Sequence, residues 1–152
     1  MYKRQIRGIW MYLFDLHCDT VTRLHDGERL APGDRSLRQN GAHLALGRMA
    51  CYDWCQCFAI FMPDEYRGEA AVDYFESCYR FFTGQLAENA DLAAQAFTAA
   101  DIREIISGGR CAALLTVEDV YKRQLHRRRA RQHCEGSGEG GRAVRLLLPR
   151  PL

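Results

Sequence analysis

The sequence predicts an α/β fold built on a parallel sheet, and three observations predict it. Apolar runs at residues 12–19, 54–62 and 111–117 are short enough to be buried strands. The stretch between the second and third runs carries helical periodicity. Turn and capping residues punctuate the boundaries. Strands that are nearly continuous in hydrophobicity and separated by helices imply right-handed βαβ crossovers and hence a parallel sheet. Three such strands are too few to close an eight-stranded barrel, which takes about 250 residues. The 152 residues are therefore read as one domain or a piece of one.

The first strand, residues 12–19, is an apolar run that ends in polar residues. Asp26-Gly27 and Pro32-Gly33-Asp34 mark a turn-rich stretch after it, and a short helix or turn is expected at residues 43–51. The second strand, residues 54–62, is rich in aromatic and small apolar side chains and stops at Pro63. Beyond it, Asp64 is placed to cap a helix in which Val72, Phe75, Tyr79, Phe82 and Leu86 recur at helical spacing. Thr98 and Asp101 have the capping-box pattern in front of Ile102, Ile105 and Ile106, and Gly108-Gly109 ends that helix. The third strand, residues 111–117, terminates at Glu118 and Asp119.

No apolar run reaches the ~18 to 20 residues of a membrane span. The nearest candidate for a secretion signal, residues 9–14, is cut off by Asp15 short of the usual ~7 to 15 residues. A cytoplasmic protein is expected. Seven cysteines, an odd number without a signal peptide, argue for reduced thiols rather than a disulfide framework.

Charge divides the chain into three compositions. Residues 1–10 carry three basic and no acidic side chains, residues 11–120 carry nine Arg against seventeen Asp or Glu, and residues 121–152 carry nine Lys or Arg against two Glu. Tyr2-Lys3-Arg4-Gln5 repeats as Tyr121-Lys122-Arg123-Gln124 at the two joints. Four residues cannot form a structural repeat, which takes about 20 or more. Residues 1–10 are read as an extraneous leader and residues 11–120 as the genuine segment, with Met11 as its start. Residues 121–152 are a basic tail with no period of 2 or 3.6, read as frameshifted or disordered.

His17 and Asp19 stand two apart at the carboxyl end of the first strand, where period-2 geometry points both to one side. Glu118 occupies the same end of the third strand. Sites in parallel α/β sheets are built along that edge, and an imidazole with two carboxylates is a suitable ligand set for Zn²⁺. A carboxylate has two oxygens, so Glu118 could bridge two ions. The spacing alone is weak support, since His-x-Asp triplets are common.

A resemblance sharpens this reading. Phe14-Asp15-Leu16-His17-Cys18-Asp19-Thr20, then Gln56-Cys57-Phe58-Ala59-Ile60-Phe61, then Ala112-Ala113-Leu114-Leu115-Thr116-Val117-Glu118 resemble, in order, three strand motifs of the membrane (renal) dipeptidase family. The resemblance covers roughly residues 11–119. It implies the amino-terminal part of a metal-dependent (β/α)8 TIM-like barrel and hydrolysis of dipeptides by a zinc-activated water in the intact enzyme. His17 and Asp19 would then bind one of two Zn²⁺ ions, and Glu118 would bridge both and take part in catalysis. The sequence departs from the family at Asp119, where a Gly is usual, and it lacks the later strand-end histidines and aspartate. His126 and His133 lie in the tail and are not assigned to those roles. The chain as written is expected to be inactive.

The alternatives are another amidohydrolase-like metal hydrolase, or a noncatalytic fragment with a nucleic-acid-binding tail. The basic run at residues 126–131 has no interleaved aromatics and no zinc-finger spacing, which weighs against nucleic acid. Cys51, Cys55 and Cys57 with His43 nearby lack the paired C-x-x-C spacing of structural zinc sites, and Cys55 and Cys57 fall within the second strand, where Cys behaves as a small buried apolar residue. Cys18 should point away from the proposed ligands into packing. His25 and His43 are expected in solvent, and Phe75, Tyr79 and Phe82 in the core.

Overall fold

All three apolar runs are strands, and they pair side by side. The computed structural model describes residues 12–27, 30–31, 34–118 and 145–146. The elements are β1 (Tyr12–Cys18), α1 (Thr20–Asp26), α2 (Leu46–Met49), β2 (Asp53–Phe61), α3 (Glu69–Glu88), β3 (Ala93–Gln95), α4 (Ala99–Ser107), β4 (Cys111–Glu118) and β5 (Arg145–Leu146). The sheet runs β1-β2-β4-β3 with every pair parallel, and β5 lies antiparallel to β4. The expectations for the leader and tail fall outside the described residues, apart from β5. Among the described residues no helix is long and apolar enough to cross a membrane.

The helices lie on both faces of the sheet, for a topological reason. The chain steps in one direction from β1 to β2 and on past the β4 position to β3, but steps back from β3 to β4, so right-handed crossovers put their helices on opposite sides. One face packs Trp54, Phe58 and Ala113 against Val21 and Leu24 of α1 and Phe82 and Leu86 of α3. The other packs Cys55, Cys57, Ala112 and Leu114 against Ile105 and Ile106 of α4. Helix α4 therefore covers the amino-terminal half of a face whose carboxyl end carries Glu118, in register with Phe61.

Several local expectations need correction. The turn-rich stretch expected directly after the first strand is preceded by a helix that the sequence pattern does not predict, α1 (Thr20–Asp26), whose residues Val21 and Leu24 are fully buried. Asp64 does not cap α3: that helix starts at Glu69 behind Gly68, whose φ of 58° suits glycine alone. The three-residue strand β3 was not expected, because Ala93-Ala94-Gln95 has no pattern of its own and is held by the edge of β4. The apolar stripe of α3 is graded, with Phe82 and Leu86 buried, Phe75 and Tyr79 half-buried and Val72 exposed. The capping box holds, with the Thr98 hydroxyl accepting from Asp101 N–H and the Asp101 carboxylate from Thr98 N–H.

Candidate metal centre

Strand β1 ends at Cys18, Asp19 stands at the amino end of α1, and Glu118 closes β4 one strand away across β2. The register of β1 on β2 shifts between Asp15 and Cys18, an irregularity of the kind that re-aims side chains beside functional sites. His17 Nε2 lies 3.2 Å from Asp19 Oδ1 and 3.5 Å from Glu118 Oε2. One ligand atom from each of the three residues falls within 4.8 Å of the others. His17 and Asp19 are exposed and Glu118 is half-buried.

The donor set fits a divalent cation. A neutral imidazole nitrogen carries at most one proton, yet two carboxylate oxygens converge on the same Nε2. A single Nε2 proton cannot satisfy both, whereas a cation can accept the nitrogen and both oxygens together. Asp19 is also rooted in the helix that follows it, because its carbonyl accepts from Thr22 Oγ1 and from the Arg23 N–H, each at 3.0 Å.

The three residues expected to act together are thus brought together, and the competing cluster is not. His17, Asp19 and Glu118 form the one such group of His, Cys, Asp or Glu found among the described residues. Cys55 and Cys57 are buried in β2, while Cys51 and His43 are exposed. Burial pushes the Cys55 thiol up to about 12, so it stays protonated and a poor ligand at neutral pH. Cys18 turns from the cluster into the helix-side core, as expected, and burial likewise pushes its thiol up to about 12.

His25 is not in solvent. Its Nδ1 sits 2.7 Å from Asp26 Oδ1 and its Nε2 sits 2.8 Å from Ser77 Oγ, so it ties α1 to α3. Tyr74 adds a second tie by donating to Asp26 Oδ2 at 2.9 Å. The sequence offered no signal for these contacts, since their partners lie about fifty residues apart.

An open cleft of about 1100 Å³ adjoins the cluster, and its walls include His17, Asp19, Asp15, Arg23, Gln56 and Tyr74. Asp15 and Gln56 had no assigned role in the sequence, although both fall within the motifs that carry the resemblance.

The fold and the strand-end cluster define a class, an α/β protein whose candidate site lies at the carboxyl edge of a parallel sheet. Comparison with solved structures gives that class a particular counterpart. The chain is similar to the crystal structure of dipeptidase AC, a metallopeptidase of family M19, with a TM-score of 0.61 and 20% identity over 78% of this chain. At that identity the likeness shows the fold. This chain spans 40% of the length of that structure. No protein-family model and no curated protein matches the sequence.

Proposed function

We propose that the chain furnishes part of the active site of a metal-dependent dipeptidase, with His17, Asp19 and Glu118 as ligands for Zn²⁺. The observation that carries this reading is the convergence of one imidazole nitrogen and two carboxylates at the carboxyl edge of the sheet. The shared fold with a metallopeptidase supports it, as do the three motifs that resemble dipeptidases. His17 would hold the metal through its imidazole, and Asp19 and Glu118 would hold it through their carboxylates. Zn²⁺, when bound, supplies Lewis-acid polarisation of an amide carbonyl and acidifies water. The chain's own groups hold the charge in place and give a dipeptide an open cleft beside it.

Two four-coordinate ions need more donors than one imidazole and two carboxylates provide. Turnover is therefore assigned to the intact enzyme, and the 152-residue chain is expected to bind metal and dipeptide without hydrolysis. Saturation-transfer NMR with alanyl-alanine, run with and without Zn²⁺, tests the assignment. Dipeptide binding that requires Zn²⁺ and is lost in His17→Ala is the expected result. Binding that is indifferent to both Zn²⁺ and His17 would overturn it.

A further inference from the structure

Helices α1 and α3 meet at a cluster of polar side chains that the metal centre does not use. His25 Nδ1 lies 2.7 Å from Asp26 Oδ1, and His25 Nε2 lies 2.8 Å from Ser77 Oγ. A carboxylate oxygen only accepts, so Nδ1 is the ring nitrogen that bears the proton. The lone pair of the neutral Nε2 then faces the Ser77 hydroxyl, which donates to it. The other oxygen of Asp26 is engaged as well, because Tyr74 donates to Oδ2 at 2.9 Å and fixes the carboxylate against the imidazole. Edge-on contacts with Tyr74 and Phe81 hold the ring in that orientation.

The order of atoms, carboxylate to Nδ1 and Nε2 to hydroxyl, is the one that makes a serine nucleophilic, and it recurs on unrelated folds. The cluster also keeps contact with solvent. Ser77 is half-buried, and the side chains of His25 and Asp26 are 21% and 34% exposed. Asp26 and Tyr74 line the open cleft, and Tyr74 stands one turn before Ser77 on α3.

We propose that Ser77 is a nucleophile activated by His25 and Asp26, with an aryl ester as its acyl donor. Ser77 lies in the interior of α3, where backbone N–H groups are spent on the helix itself and cannot serve a developing oxyanion. The donor must therefore carry a good leaving group. Ser77 Oγ attacks the acyl carbon while Nε2 takes the hydroxyl proton. The bond to the aryloxide breaks, and the aryloxide leaves with that proton. Water then attacks the acyl-serine, passes its proton to Nε2, and releases the carboxylic acid and free Ser77. No step uses the metal ligands, so the proposal stands apart from the dipeptidase reading.

The test treats the full chain with p-nitrophenyl acetate and, separately, with diisopropyl fluorophosphate, and maps the adducts by peptide mass spectrometry. The expected result is an adduct on Ser77 with both reagents, formed equally fast with a chelator present. Ser77→Ala should lose the adduct. His25→Gln should slow its formation about 10²- to 10⁴-fold, the usual contribution of a general base, and Asp26→Asn should slow it as well. Circular dichroism of each variant checks that the fold is kept, and the map of the wild-type chain needs no variant. An unlabelled Ser77 in the folded wild-type chain overturns the proposal, as does labelling confined to histidine or tyrosine side chains. Labelling of Ser77 that is equally fast in a folded His25→Gln variant would make it an ordinary hydroxyl and also overturns it. Labelling abolished by the chelator would place the chemistry at the metal centre and count against it in the same way.

Discussion

The tie between α1 and α3 makes a quantitative prediction, because α1 begins directly behind Asp19. His25 meets Ser77 Oγ at 2.8 Å and Asp26 Oδ1 at 2.7 Å, and its ring packs edge-on to Tyr74 and Phe81 at centroid distances of 5.7 and 5.9 Å. Ser77→Ala removes one hydrogen bond, a loss of about 0.5–1.5 kcal/mol. His25→Ala removes two hydrogen bonds and the ring contacts, a loss of about 2–3 kcal/mol. The double variant should lose less than the sum of the two, by a coupling of about 0.5–1.5 kcal/mol, since both single variants break the same bond. Urea unfolding of the wild type and the three variants, followed by circular dichroism, measures each corner of the cycle. A coupling within about 0.3 kcal/mol of zero would refute the bridge and return His25 to solvent. Zn²⁺ affinity should fall in His25→Ala as well, because loosening α1 loosens the backbone that carries Asp19.

Other consequences are simpler to check. Phe82 is fully buried with its ring centroid 5.6 Å from that of Phe58, so Phe82→Ala should destabilise the chain by about 3–5 kcal/mol in denaturant unfolding. Thr98→Ala should cost about 1 kcal/mol through loss of the cap on α4. The Asp101 carboxyl is held below its ordinary value of 3.8, chiefly by the Phe97 backbone N–H and then by Thr98. A lowered folded-state value means that this support is complete above the ordinary carboxylate range and is lost as pH falls through the lowered value. Carbon chemical shifts at the start of α4 should therefore report fraying below about pH 4, and an Asp101 that titrates at or above its ordinary value would contradict the capping geometry.

What the sequence made legible was whatever its periodicity encodes. Residues 54–62 and 111–117 are apolar almost throughout because β2 and β4 are covered on both faces, and this burial is written directly into composition. His17, Asp19 and Glu118 were legible because strand ends have a fixed relation to the edge of a parallel sheet. Their contact distances were not legible, since these depend on β2 lying between β1 and β4 and on the register shift after Asp15. Helix α1 escaped notice because Thr20, Val21 and Thr22 are poor helix formers and no acidic residue marks the first turn; burial of Val21 and Leu24 against the sheet stabilises it. Strand β3 exists only through its pairing with β4.

The central claim is that His17, Asp19 and Glu118 form a metal site, and calorimetric titration of the 152-residue chain with Zn²⁺ tests it most directly. The expected result is binding that is lost in His17→Ala, weakened in Glu118→Gln and unchanged in Cys55→Ala. Binding that survives His17→Ala but disappears in Cys55→Ala would contradict the claim and move the metal to the cysteines of β2.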